Sequence, residues 1–132
     1  MISTRGRYAL RVMVDLAEHA DDGLVPMKEV AKRQDISLKY LEQILPVLTK
    51  NKLLHAVHGK GGGYSLARDP RDITTKDILQ LTEKELAPVA CVAIGAPECK
   101  RQKACKTQAF WKQYNQVIST FLDSKTLADF LD

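Results

Sequence analysis

Three cysteines, Cys91, Cys99 and Cys105, are the residues of this 132-residue chain best suited to chemistry, and they fall in one short stretch. Seven residues separate the first two and five separate the last two. Thiolates are soft ligands, and three on one segment suit an iron–sulfur centre or zinc. Gly95 and Pro97 keep the segment out of a helix, which could not converge three ligands at these spacings. Lys100, Arg101, Lys103 and Lys106 surround Cys99 and Cys105. Neighbouring cations lower thiol pKa values and offset the charge of an anionic cluster. The competing reading is three small loop residues with no shared role. An odd cysteine count without an export signal predicts reduced thiols. There is no Cys-x-x-Cys, no nucleophile motif and no recognisable pair of carboxylates, so an enzyme is not expected.

A second group of polar residues lies upstream. Residues 28–68 hold eight Lys/Arg against three acids, a local charge of +5. Such a balance permits polyanion binding and equally describes a solvated face. The elements around it decide between the two. A short helix is expected from Met27 to Gln34, a break at Asp35-Ile36, and a second helix capped by Ser37. Leu38, Leu41, Leu45 and Leu48 recur on one face of that second helix, while Lys39, Glu42, Gln43 and Lys50 lie off it. Two short helices, a tight turn and a polar second face make a helix-turn-helix. Pro46 conflicts with a continuous helix, since an interior proline costs roughly 3 kcal/mol. A bend or early end is therefore expected near residues 42–46.

Residues 53–68 read as a β-hairpin around Gly59-Lys60-Gly61-Gly62-Gly63. A phosphate loop would need Ser or Thr after Gly-Lys, and a dinucleotide fingerprint would need glycine where Tyr64 stands. A basic, glycine-tipped hairpin after a helix-turn-helix is a wing. In that frame Lys39, Tyr40 and Gln43 enter the major groove, where Gln reads adenine and Lys guanine. Ser37 bonds phosphate beside the helix amides, and His58, Gly59 and Lys60 reach the minor groove or backbone.

The remaining elements frame these groups. Thr4 to Ala20 reads as a helix capped by Ser3 or Thr4, apolar over most of its girth, ending at Asp21-Asp22-Gly23. Thr74, with Asp77 as its capping partner, starts a helix to about Thr82. Residues 85–105 read as irregular. From about Lys106 to Leu122 a helix carries Phe110, Tyr114, Val117 and Phe121 on one stripe and Trp111, Ile118 and Leu122 on the adjoining one, more than a small winged domain can cover, which favours a dimer interface over an ordinary core helix. Thr126 and Asp129 fit a last capped turn. At 45% apolar and 27% charged, with net charge +4, the chain has the size of one domain or one domain with an arm. No stretch has the ~18 apolar residues of a membrane span, and the N-terminus lacks a signal-peptide core, so a cytoplasmic protein is expected.

Taken in order, STRGRYAL, ISLKYLEQ, GKGGGYSLA and three cysteines before an aromatic helix resemble the Rrf2 family of bacterial transcription regulators, over nearly the whole chain. Among its members the likeness is to those that bind an iron–sulfur cluster. The resemblance implies a mainly α fold with a small β-hairpin, a winged helix-turn-helix plus dimerisation helices. It implies residues 1–70 as the DNA-binding unit and 71–132 as dimerisation helices with a cluster loop at 88–106. It further implies a homodimer on a roughly palindromic operator in double-stranded DNA, with a [2Fe–2S] or [4Fe–4S] cluster on Cys91, Cys99 and Cys105. Glu42 matches an acidic position of the family's recognition helix and reads as a selectivity filter.

Three departures bear on the cluster. The family usually has five residues between its first two cysteines, and its fourth ligand, a histidine three residues after the last, is here Gln108. An aspartate used by some relatives is here Tyr8. Gln108 is accordingly a weak candidate fourth ligand. The alternatives are a cluster-free thiol- or persulfide-sensing repressor of the same fold, and an iron–sulfur electron carrier, which would have no use for a wing.

Overall fold

The computed structural model describes residues 1–131. Helix α1 spans Thr4–Glu18, and Ser3, in extended conformation, caps it by accepting from the Gly6 amide at 3.1 Å. The helix ends two residues short of the expected Ala20. His19 closes it and Ala20–Asp22 form a 3₁₀ turn, after which Gly23, at φ +71°, turns the chain away. Helix α2 spans Met27–Gln34, and Asp35, left-handed at φ 53°, makes the turn into α3 at Leu38–Lys50.

Of the bend or early end expected near residues 42–46, the early end does not occur, since α3 runs through Pro46 to Lys50. Leu41, Ile44, Leu45 and Leu48 bury the opposite face on both sides of the proline. Glu42, whose carbonyl loses its partner, and Pro46 both lie on the exposed side, where water satisfies the freed group.

Strands β1 (Leu54–Val57) and β2 (Gly63–Leu66) pair antiparallel, Leu54 opposite Leu66 and Val57 opposite Gly63. Val25 adds a third, one-residue strand, exchanging both backbone bonds with Tyr64 at 2.9 Å. Two of the tip glycines have separate reasons. Gly61 sits at φ +78° inside the turn closed by the Gly62 amide on the Gly59 carbonyl, and a Cβ on Gly62 would lie 2.1 Å from the Val57 carbonyl oxygen. Turn and strand geometry thus account for the glycine run, without a bound phosphate.

Helix α4 (Thr75–Thr82) starts with a capping box between Thr74 and Asp77, and α5 spans Gln108–Ser124. A 3₁₀ turn at Leu127–Phe130, capped by Thr126 and Asp129, ends the described chain. Thr126 bridges Thr74, and Leu127 is fully buried. One core gathers Ala9, Val12, Met13 and Leu16 of α1, Val30 of α2, Leu41 and Leu48 of α3, Leu54, Ile78 and Leu127. The architecture is mainly α with one β-hairpin, a winged helix-turn-helix extended by α4 and α5. Among the described residues, no helix is long and apolar enough to cross a membrane.

Candidate functional site

The surface of α3 follows from its cap and stripe. Ser37 accepts from the Tyr40 amide at 3.1 Å, which leaves its hydroxyl hydrogen free to donate outward. With the leucines turned inward, Lys39, Glu42 and Gln43 stand exposed on one side of the helix. Tyr40 is placed differently. Its ring is half-buried and packs edge-on against Tyr8 of α1, with centroids 5.3 Å apart, so it anchors the start of α3 to the core. His58, Gly59 and Lys60 are exposed at the wing tip. Between α3 and the wing, Pro46, Thr49, Lys50, Ala56, His58 and Tyr64 line a cleft of about 340 Å³, so Lys50 borders the same surface.

Behind this surface lies a charged cluster that sequence reasoning missed. Asp15, on the apolar helix α1, is only 2% exposed. It accepts from Arg33 Nε at 3.0 Å and Nη2 at 2.7 Å, and from Gln34 Nε2 at 2.9 Å. Burial alone would raise its pKa. The hydrogen bonds of Arg33 and Gln34, with the charges of Arg33 and His19, outweigh it and hold the carboxyl below its ordinary value. Arg11, one turn earlier, donates to the carbonyl of Gln34 and to its Oε1 at 3.3 Å, and stacks over the Tyr8 ring at 5.3 Å. The only signal in the sequence was a lone acid within an apolar stretch.

The three cysteines are free thiols, each half-buried, on the segment joining α4 to α5. Cys91 lies in the 3₁₀ turn Ala90–Val92, and Cys99 and Cys105 flank a tight turn in which the Cys105 amide donates to the Arg101 carbonyl at 2.7 Å. Cys105 lies three residues before the start of α5. The Thr107 hydroxyl, 3.4 Å from its sulfur, with the amides of Thr107 and Gln108 and the charge of Arg101, holds its thiol below the ordinary value despite burial. Gln108 is the first residue of α5 and half-buried. The donor set suits an iron–sulfur centre in kind, with three soft ligands beside four cations. The side chains are not gathered: among the described residues, no three Cys, His, Asp or Glu groups converge as a metal site. Gly95, between Cys91 and Cys99, sits at φ +75°.

Two joints connect this loop to the rest. Glu83, at the end of α4, accepts from the Ser3 amide at 2.5 Å and the Ser3 hydroxyl at 2.6 Å, tying the start of α1 to the start of the loop. Burial would raise the Glu83 carboxyl, and these two bonds lower it below its ordinary value. On the far side, Asn115 of α5 donates to the Val92 carbonyl at 3.4 Å. The opposite stripe of α5 is uncovered, with Phe110, Tyr114, Val117 and Phe121 all exposed.

Comparison with known proteins gives one consistent result. Residues 2–132 match the Rrf2 family, described as iron-dependent transcriptional regulators. The chain is 36% identical over 131 residues to the HTH-type transcriptional regulator IscR of Yersinia pseudotuberculosis, covering 99% of this chain and 79% of that protein. The solved structure of T. potens IscR superposes with a TM-score of 0.79 at 39% identity, covering 99% of this chain and 85% of the other. The structure of CymR, the global cysteine regulator of B. subtilis, superposes with a TM-score of 0.84 at 32% identity, covering 98% and 95%.

Proposed function

This chain belongs to the Rrf2 family of transcriptional regulators, and from that premise we propose that it is a cytoplasmic, homodimeric DNA-binding regulator whose operator affinity is set by an iron–sulfur cluster on Cys91, Cys99 and Cys105. The family is one of regulators, not of enzymes. Residues 1–70 read DNA, and 71–132 dimerise and sense through the loop at 88–106. The observation that carries the sensing part is the loop itself: three free thiols beside four cations, between a helix tied to α1 and a helix with an uncovered apolar stripe.

On the DNA side, Lys39 and Gln43 reach base edges and Ser37 donates to a phosphate as its hydroxyl caps α3. Glu42 rejects sites that bring a phosphate to it, and His58, Gly59 and Lys60 carry the wing to the backbone or minor groove. Tyr40 contributes by fixing the start of α3. Two copies related by a twofold axis present two such helices to a roughly palindromic operator. On the sensing side, the three cysteines would hold the cluster, with Gln108 as a weak, neutral oxygen donor at the fourth position. When bound, the cluster supplies a redox- and ligand-sensitive centre.

Anaerobically purified protein tests this. Cys91→Ala, Cys99→Ala and Cys105→Ala should each abolish the iron–sulfide absorbance and leave a folded dimer, whereas Gln108→Ala should retain most of it. If all three cysteine variants keep wild-type colour and DNA affinity, the cluster reading fails. A second reading has its own support in the ungathered side chains and the lowered Cys105 thiol. In it the cysteines sense thiol state without a cluster, and the wild-type protein is colourless yet loses operator affinity on thiol modification.

A further inference from the structure

The Asp15 cluster is not among the residues proposed to ligate the loop or contact DNA, yet burying a carboxylate is costly. What it holds explains its presence. Arg33 and Gln34 form the last turn of α2, directly before Asp35, whose left-handed φ of 53° turns the chain into α3. The bidentate Arg33–Asp15 pair fixes the rotation of that last turn as a single contact would not. Arg11 adds a bond to the Gln34 carbonyl, a C-terminal group of α2 that would otherwise lack an intrahelical partner. On the other side of the turn, Tyr8 holds Tyr40 at the start of α3. Helix α1 therefore grips the helix-turn-helix on both sides of its hinge. Arg33 is committed within the protein, with Nε and Nη2 on Asp15 and Nη1 3.7 Å from Glu29.

We infer that Asp15, Arg33 and Gln34 are positioning residues for operator recognition, which set the angle at which α3 meets the groove without touching DNA. This rests on the proposal that α3 is the reading helix. Base-edge contacts depend on that angle far more than phosphate contacts, since charge attraction at the backbone tolerates small rotations.

The experiment uses the full chain and a duplex selected from a random library by the wild-type protein, with an unrelated duplex beside it. Arg33→Lys keeps the charge and removes the fork. Anisotropy titrations should show operator affinity falling about tenfold, the size of one lost base contact. Affinity for the unrelated duplex should change less than twofold, and the salt dependence of both should stay as in wild type. Gln34→Ala, which removes one bond to Asp15 and one from Arg11 but keeps the Arg33 fork, should show the same split at smaller size. Equal weakening on both duplexes, or a salt slope reduced by about one, makes Arg33 a phosphate contact and overturns the inference. So does an unchanged operator affinity with a lowered melting temperature, which marks a purely structural pair. A wild-type chain that selects no duplex overturns the DNA-reading proposal instead, visibly before any variant is made.

Discussion

Helices α3 and α5 have the same amphipathic design and opposite fates. In α3, four residues of the apolar stripe are buried, and the helix packs against α2, α4 and the wing. In α5, a stripe of Phe110, Tyr114, Val117 and Phe121 repeats at intervals of four, three and four, and no residue of the helix is buried. Both patterns satisfy the rule that an apolar face seeks cover, but only one finds it within the chain. A large uncovered stripe of aromatic residues marks an interface, and a spacing of three and four suits a neighbouring helix. The helix-turn-helix thus buries its apolar stripe within one chain, while α5 leaves its own uncovered, as the proposed second subunit requires.

The sharpest way to break this contrast is a pair of stability measurements. Leu48→Ala in the covered stripe should cost about 2–5 kcal/mol in denaturant unfolding, whereas Cys99→Ala in the loop should stay within about 0.5 kcal/mol. Equal costs would mean the loop is as integral as the head. Next in size is Val117→Glu, 68% exposed in the single chain. A charge in the centre of the stripe should halve the mass in sedimentation and lower operator affinity about a hundredfold, with the melting temperature of the head preserved. A dimer that survives it places the interface elsewhere. The smallest effect concerns acid. Asp15 and Glu83 both titrate below their ordinary values when folded. Their contribution is complete above the unfolded carboxylate range near pH 4 and is lost as pH falls through the folded values. Unfolding free energy should therefore decline below about pH 4, and less steeply in Asp15→Asn.

What the sequence revealed depended on how far each interaction reached along the chain. Ser3, Ser37 and the Thr74–Asp77 pair cap helices through partners three residues away, and all three were legible as local patterns. Pro46 misled because a local penalty was weighed without the buried stripe that overrides it. Asp15 was invisible for the opposite reason. Its partners lie 18 and 19 residues on, and nothing local distinguishes a buried clamp from a stray surface acid. Tyr40 had the composition of a groove contact, but Tyr8, on another helix, claims its ring. Cysteine spacing likewise offered a candidate donor set, while the packing of the loop determines how near the sulfurs lie.

Leu127 gives the fold an order in time. It plugs the core beside α1, held by the Leu127 amide on the Ile73 carbonyl at 3.0 Å and the Thr75 amide on the Lys125 carbonyl at 2.7 Å. A ribosome adding about 5–20 residues per second delivers it roughly 5–20 s after the end of α1. Until then the nascent reading head carries an open socket, and the apolar flank of α1 faces water or a chaperone. A product broken off before this residue would keep every predicted DNA contact and still fold poorly. Termination before this residue would therefore yield a client for proteolysis instead of an unregulated DNA binder.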